Sequence, residues 1–289
     1  MKKLMAFLLI AALTLSLVSC ANSSKNTTAG NSNKATQSSD NTNGSAAKSN
    51  SSSGTSNSLE KIKKAGVIVM GTSADFPPYE SHQLINGEDK IVGFDVDIAQ
   101  AVADGLGVKL DIEDMKFDGL IAALQAGKID MIVAGMTPTP ERAKSVDFSD
   151  LYYIGKQVLV VKKDNNSIKT VDDLKGKKLD AQLGTTSEKA ARSIKGVTVI
   201  PIDKVSTEIM EVKTGKVDGV VVEKTVAEAY LKENPDLKIV EIPEIKSEEG
   251  SAIAVRKGDK ALLNEINKIL KQLKDSGEYD KLIEKWFKQ

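Results

Sequence analysis

The sequence of 289 residues is poor in the residues that build cross-links and metal cages: it has one cysteine, Cys20, and one histidine, His82. A single cysteine excludes an internal disulfide, and one Cys with one His cannot form a zinc-type cage. No metal site and no cofactor is expected. An excess of charge of either sign is also missing, because 40 Lys and Arg balance 40 Asp and Glu. Nucleic-acid binding needs a clustered basic excess, so nucleic acid is not expected as a partner. The same neutrality provides no electrostatic drive toward anionic lipid. Gly184-Thr185 precedes a helical pattern, but no Gly-Lys-Ser/Thr follows, which excludes a P-loop. What is present is ordinary for a globular chain, with 40% apolar and 28% charged residues. The length suffices for two domains with their own cores.

The N-terminus reads as an address. Lys2 and Lys3 precede an apolar run over residues 4–17, interrupted by Thr14 and Ser16. That run is short for a membrane span and suits a signal peptide. It ends in Leu17-Val18-Ser19-Cys20, which resembles the lipobox of bacterial lipoproteins. The resemblance implies cleavage before Cys20 and a diacylglyceryl group on its thiol. The alternative is an ordinary secretory signal with an incidental cysteine. Residues 1–19 are therefore expected as signal peptide, and residues 20–58 as a lipidated Cys and a disordered tether. Ser, Asn and Thr make 25 of the 38 residues from 21 to 58. With no Val, Ile, Leu, Met or aromatic residue there, nothing offsets the entropy of ordering. Such a coil spans about 35 Å. A tether of this length points to a Gram-positive cell surface.

From Leu59 onward the pattern alternates. Strands are expected at 67–73, 109–115, 131–136, 157–162, 179–183, 198–202, 219–223, 238–242 and 251–256. Helices are expected at 95–106, 117–126, near Asp172, and at 187–194, 206–214, 226–233, 260–275 and 278–287. Strands separated by helical patterns predict an α/β fold with largely parallel sheets and helices on both faces. Residues 120–130 lead into a strand through an apolar helix, a Gly and Lys128-Ile129-Asp130. Residues 209–218 do the same through Lys216-Val217-Asp218. The repeat suggests two similar lobes, although generic connection chemistry would also produce it. Ligands of such sheets sit beyond the carboxyl ends of the strands. Those ends are Gly135-Met136-Thr137 and Glu223-Lys224-Thr225.

Four runs carry a family resemblance: residues 71–80, GTSADFPPYE; residues 92–98, VGFDVDI; residues 117–121 through 134–142, ending AGMTPTPER; and residues 182–186, QLGTT. Together they resemble the bacterial extracellular solute-binding protein family 3, which includes histidine-, lysine/arginine/ornithine- and glutamine-binding proteins. The resemblance covers 59–289. It implies a two-lobed, type II periplasmic-binding-protein-like fold with two hinge crossings, lobe 1 being 59–155 plus 252–289 and lobe 2 being 156–251. It places Arg142 on the ligand α-carboxylate, where a guanidinium fork makes two parallel bonds. Gly135 and Thr137 add backbone and hydroxyl groups to the same cage. Thr186 opens a helix whose N-terminus suits a carboxylate. Glu223 stands where the family usually has Asp against the ligand ammonium. Phe76 and Phe117 match the walls around the ligand side chain. Ser73 and Gln182 complete the expected site: relatives that select basic side chains often have Asp at the position of Ser73, and some relatives have an apolar or basic residue at that of Gln182. Structural alternatives are ion pairs of Arg142 with Glu141 or Asp147, and of Glu223 with Lys224 or Lys257. Tyr79 is expected as a pocket wall at most, and His82 as solvent-exposed beside an Asn86-Gly87 turn.

The implied function is the lipoprotein component of an amino-acid ABC transporter. It would bind glutamine, cystine or a basic amino acid by hinge closure, as a monomer, and pass it to a permease and its ATP-binding subunit. Lipid anchoring would keep it on the outer face of the cell membrane. Some similar proteins are cyclohexadienyl dehydratases, yet no acid beyond the ligand cage is evident, and no enzyme activity is expected. A sensor or adhesin role is a third reading.

Overall fold

The computed structural model describes residues 58–246 and 250–288. The expected signal peptide, Cys20 and nearly all of the tether lie outside the described residues.

The chain opens with α1 (Ser58–Ala65), β1 (Val67–Thr72), β2 (Asp75–Phe76), β3 (Glu80–Ile85) and β4 (Glu88–Val92). It continues with α2 (Phe94–Leu106), β5 (Lys109–Asp114), α3 (Leu120–Gln125), β6 (Met131–Ile132) and β7 (Val146–Phe148). Next come β8 (Gln157–Lys162), β9 (Lys178–Gln182), α4 (Thr186–Ser193), β10 (Thr198–Ile202) and α5 (Val205–Thr214). Then follow β11 (Gly219–Glu223), α6 (Lys224–Glu233), β12 (Leu237–Val240) and β13 (Ala254–Arg256). Two helices, α7 (Lys260–Asp275) and α8 (Glu278–Phe287), complete it.

The strands form two five-stranded sheets, ordered β5-β1-β6-β13-β7 and β10-β9-β11-β8-β12. Each is mixed: the fourth strand runs antiparallel to both of its neighbours, and the other four strands share one direction. The antiparallel entrants β13 and β8 are the strands that arrive from the other lobe. A chain crossing at the ligand side meets its new sheet from the strand carboxyl ends, so it runs against the parallel strands. The chain crosses between Phe148 and Gln157 and returns between Val240 and Ala254.

The repeated Lys-x-Asp has the same role in both lobes. The Asp130 carboxylate accepts the Val69 N–H at 3.1 Å, while its own N–H donates to the Val69 carbonyl at 2.8 Å. Asp218 repeats this with Lys178, at 2.9 and 2.8 Å. Each Asp thus clips the start of one strand to the edge of the next, and the two sheets are matching units. Helix α7 buries Leu262, Leu263, Ile266, Ile269 and Leu270, a 3–4 spacing that lays one apolar stripe on the first lobe.

Several local expectations are corrected. Ser58 is buried and begins α1 rather than ending a tether, because its hydroxyl bonds Asp259. The strand expected at 131–136 is paired only over Met131–Ile132. The helix expected at 117–126 begins as a 3-10 turn over Phe117–Gly119. The segment near Asp172 is also a 3-10 turn, Val171–Leu174. Arg142 opens a further 3-10 turn, Arg142–Lys144. Helix α1, strand β7 and the hairpin β3–β4 were not anticipated, although the Asn86-Gly87 turn closes that hairpin.

Candidate ligand cleft

A cavity of about 720 Å³, counted to its open mouth, lies between the carboxyl ends of the two sheets. Ser73, Phe76, Phe117, Gly135, Thr137, Arg142, Gln182, Thr186 and Glu223 all line it, so every residue expected at a ligand site is brought to one place.

Arg142 holds the first lobe's wall. Its Nη1 donates to the Thr137 carbonyl at 2.6 Å, and its Nη2 crosses to the Gly184 carbonyl at 2.9 Å. Its guanidinium carbon sits 5.2 Å from the centre of the Phe117 ring, within cation–π range. Asp147 pairs instead with Lys257 and Lys260, and Glu141 faces Lys189. Gly135 adopts φ 54°, and a Cβ there would lie 3.0 Å from the Phe76 ring. Only glycine takes that conformation freely and lets the ring lie so close. The Gly135 N–H donates to Asp95 Oδ2 at 2.7 Å, which leads the backbone away from the strand path and into the cavity.

The second lobe supplies the facing wall. Thr186 is the first residue of α4, and the cap is Thr185, whose hydroxyl accepts the Glu188 N–H. Thr186 is therefore not the helix cap. Its side chain is buried and lines the cavity. Glu223 caps α6, accepting the Thr225 N–H at 3.3 Å and the Thr225 hydroxyl at 2.5 Å. Burial raises its carboxyl above the usual carboxylate range, against the Thr225 bonds. Lys224 pairs with Glu241 and Lys257 with Asp147, so neither neutralises Glu223. Gln182 donates to the Asp203 carbonyl at 3.2 Å.

The lobes touch across the cleft beyond Arg142. Asp75 Oδ2 accepts the Val205 N–H of α5 at 2.6 Å, and the Asp75 carbonyl accepts the Tyr230 hydroxyl at 2.8 Å. Lys116 meets Asp203 at 2.5 Å. Burial pushes the Asp75 carboxyl up to about 6, against the Val205 bond.

Three carboxyls line the cavity, Glu80, Glu208 and Glu223, against one guanidinium. Glu80 is buried beside Asp95. Burial, then the Asp95 carboxylate beside it, raise it well above its usual range. Tyr152 donates to the same Asp95 at 2.7 Å. Glu208 and Gln157 were not identified as site residues from sequence, and both line the cavity. Tyr79 also lines it, fully buried and stacked on Phe76 at 5.4 Å. His82 lies outside this cavity, exposed, between Asp89 at 2.9 Å and Asp114 at 3.3 Å.

Residues 68–289 match the bacterial extracellular solute-binding proteins, family 3. The arginine-binding extracellular protein ArtP of Bacillus subtilis is 43% identical over 238 residues, covering 81% of this chain and 91% of that protein. The L-cystine-binding protein TcyJ of Escherichia coli is 36% identical, covering 79% of this chain and 85% of the relative. The crystal structure of the Streptococcus pneumoniae amino-acid ABC transporter substrate-binding protein AbpA, bound to L-arginine, superposes with TM-score 0.76 at 38% identity. It covers 79% of this chain and 98% of its own. Two matched lobes, a cleft at their strand ends and these likenesses agree: the chain belongs to the bacterial extracellular solute-binding proteins, family 3, a family of binding proteins rather than enzymes.

Proposed function

We propose that this chain is the substrate-binding protein of an amino-acid ABC transporter and clasps a polar L-amino acid between its lobes. The observation that carries the reading is the pairing of Arg142 on one wall with the buried Glu223 on the other. A zwitterion presents the complementary pair, a carboxylate for the guanidinium and an ammonium for the carboxylate. Gly135 and Thr137 flank the carboxylate end, and Thr186 adds the positive end of α4. Phe76 and Phe117 wall the side chain, and Ser73 and Gln182 face its far part. Glutamine, cystine and the basic amino acids are the candidates, in keeping with relatives named for arginine and cystine.

Contacts from both walls exist only when the cleft is shut, so the ligand stabilises the closed form. The hinge lies at 155/156 and 251/252, dividing lobe 1 (59–155 plus 252–289) from lobe 2 (156–251). The closed form docks on a permease whose ATP-binding subunit supplies the energy. Cys20 carries the lipid that holds the monomer on the outer face of the membrane, with residues 21–57 as tether.

Calorimetric titration of the chain with the twenty amino acids tests the ligand class: micromolar or tighter binding of at least one polar amino acid is expected, and no heat with any of them would end the proposal. Cell fractionation tests the anchor, since Cys20→Ser is expected to move the protein from membrane to medium.

A further inference from the structure

Glu208 is the acid that the zwitterion clamp does not use. It sits in the first turns of α5, on the same face as Val205, Ile209 and Val212. It is 1% exposed, and no donor among the described residues reaches its Oε1. A buried carboxylate oxygen without a partner is destabilising unless something compensates it. Glu211 is buried on the same helix, but it takes Lys216, and of the two acids Glu208 is the one that lines the cavity.

Its surroundings offer the carboxylate no relief. Asp75, Asp180 and Glu211 are the charged groups nearest to it in effect, and burial together with these acids raises it well above its usual range. Lys216 is committed to Glu211, and the Asp75 carboxylate is committed to the Val205 N–H. Glu80, raised likewise, lies beside Asp95, whose Oδ2 is taken by the Gly135 N–H and the Tyr152 hydroxyl. Among the cavity acids, Glu223 answers the ammonium and Glu80 lies beside Asp95, which leaves Glu208 as the acid whose Oε1 has no donor among the described residues. A ligand with one further positive charge supplies that partner and holds Glu208 ionised.

We propose that Glu208 is the specificity-determining residue of the cleft, receiving the guanidinium or ammonium at the far end of a basic amino acid. This rests on the amino-acid reading of the cleft and narrows it to arginine-like ligands. Asp75 and Gln182 border the same end, and Phe76 and Phe117 present ring faces to an aliphatic stem.

The test compares L-arginine, L-lysine and L-glutamine by calorimetry on the wild type, Glu208→Gln and Glu208→Asp. The wild type is expected to prefer arginine over glutamine by about tenfold or more, and Glu208→Gln to weaken arginine by about 100-fold while glutamine changes less than about threefold. Glu208→Asp should keep the preference at lower affinity. An unchanged arginine-to-glutamine ratio in Glu208→Gln, or equal loss of both ligands, overturns the assignment. Should Glu208→Gln not fold, competition of arginine against citrulline on the wild type reads the same charge: equal affinity overturns it. A wild type that binds a neutral polar amino acid tighter than arginine refutes Glu208 alone, whereas one that binds no amino acid refutes the cleft reading beneath it.

Discussion

Arg142 Nη2 donates to the Gly184 carbonyl at 2.9 Å, so a side chain of the first lobe reaches the loop that opens α4 in the second. The same guanidinium is braced by Thr137 and lies over Phe117. It thus stands both at the proposed carboxylate site and in the contact between the lobes.

Arg142→Ala is expected to abolish amino-acid binding, with the melting temperature nearly unchanged because the guanidinium borders the cavity rather than the core. Arg142→Lys keeps the charge but loses the planar fork, and about a 100-fold weakening is expected. Calorimetry with the preferred amino acid decides; wild-type affinity in Arg142→Ala would remove Arg142 from the ligand.

Asp75 joins the lobes where no ligand is needed. Its carboxylate takes the first N–H of α5 and its carbonyl takes the Tyr230 hydroxyl. Asp75→Ala deletes the first bond and should raise the dissociation constant about tenfold, mainly through faster release. Stopped-flow release rates check this, and small-angle scattering should show a more open ligand-free ensemble. Unaltered release would mean that the contact does not hold the closed form.

Gly155 lies at the first crossing, against the Glu223 carboxyl. A Cβ there would stand 2.4 Å from Glu223 Oε1 and 2.8 Å from its carboxyl carbon. Glu223 is buried and bonded to Thr225, so it cannot swing away without losing its cap. Gly155→Ala is expected to weaken amino-acid binding about tenfold and to lower the melting temperature by about 2–4 °C. If affinity survives while the melting temperature falls, Glu223 caps α6 and does nothing for the ligand.

The sequence was most informative where function is written in short runs at strand ends. Ser73, Phe76, Gly135, Thr137 and Arg142 sit in such runs, and all reach the cavity. The Lys-x-Asp repeat also carried its meaning, because Asp130 and Asp218 clip matching strands. Glu208 was missed because an acid in a helix reads as a solvated face. Its signal was position: Glu208 and Glu211 fall on the stripe of Val205, Ile209 and Val212. The hairpin β3–β4 was hidden because His82, Gln83, Leu84 and Ile85 are all exposed, leaving no alternation to read. The strand after Asp130 looked longer than it is, since the turn at Gly135 diverts an apolar run into the cleft.

The buried acids set an unusual pH dependence. Burial raises Asp75 to about 6 and Asp95 to about 6, and burial with Glu211 beside it raises Asp180 to about 7. Ordinary Asp carboxyls titrate near about 4, so the folded chain holds more protons than the unfolded chain between about pH 4 and 7. Stability contributed this way is fully present below about pH 4 and is lost as pH rises through 6 to 7. Asp147 acts in the opposite sense: burial works against it, yet Lys257, the Gly258 N–H and Lys260 lower it to about 2. Its contribution is present above about pH 4 and lost as pH falls toward 2. The two trends place maximum stability near about pH 4 rather than at neutrality. Scanning calorimetry should give a melting temperature about 4 °C or more higher at pH 5 than at pH 7.5. Asp180→Asn removes one of the raised groups and should reduce that difference. A melting temperature that climbs steadily from pH 5 to 7.5 would mean that these acids are ionised and compensated in the folded chain.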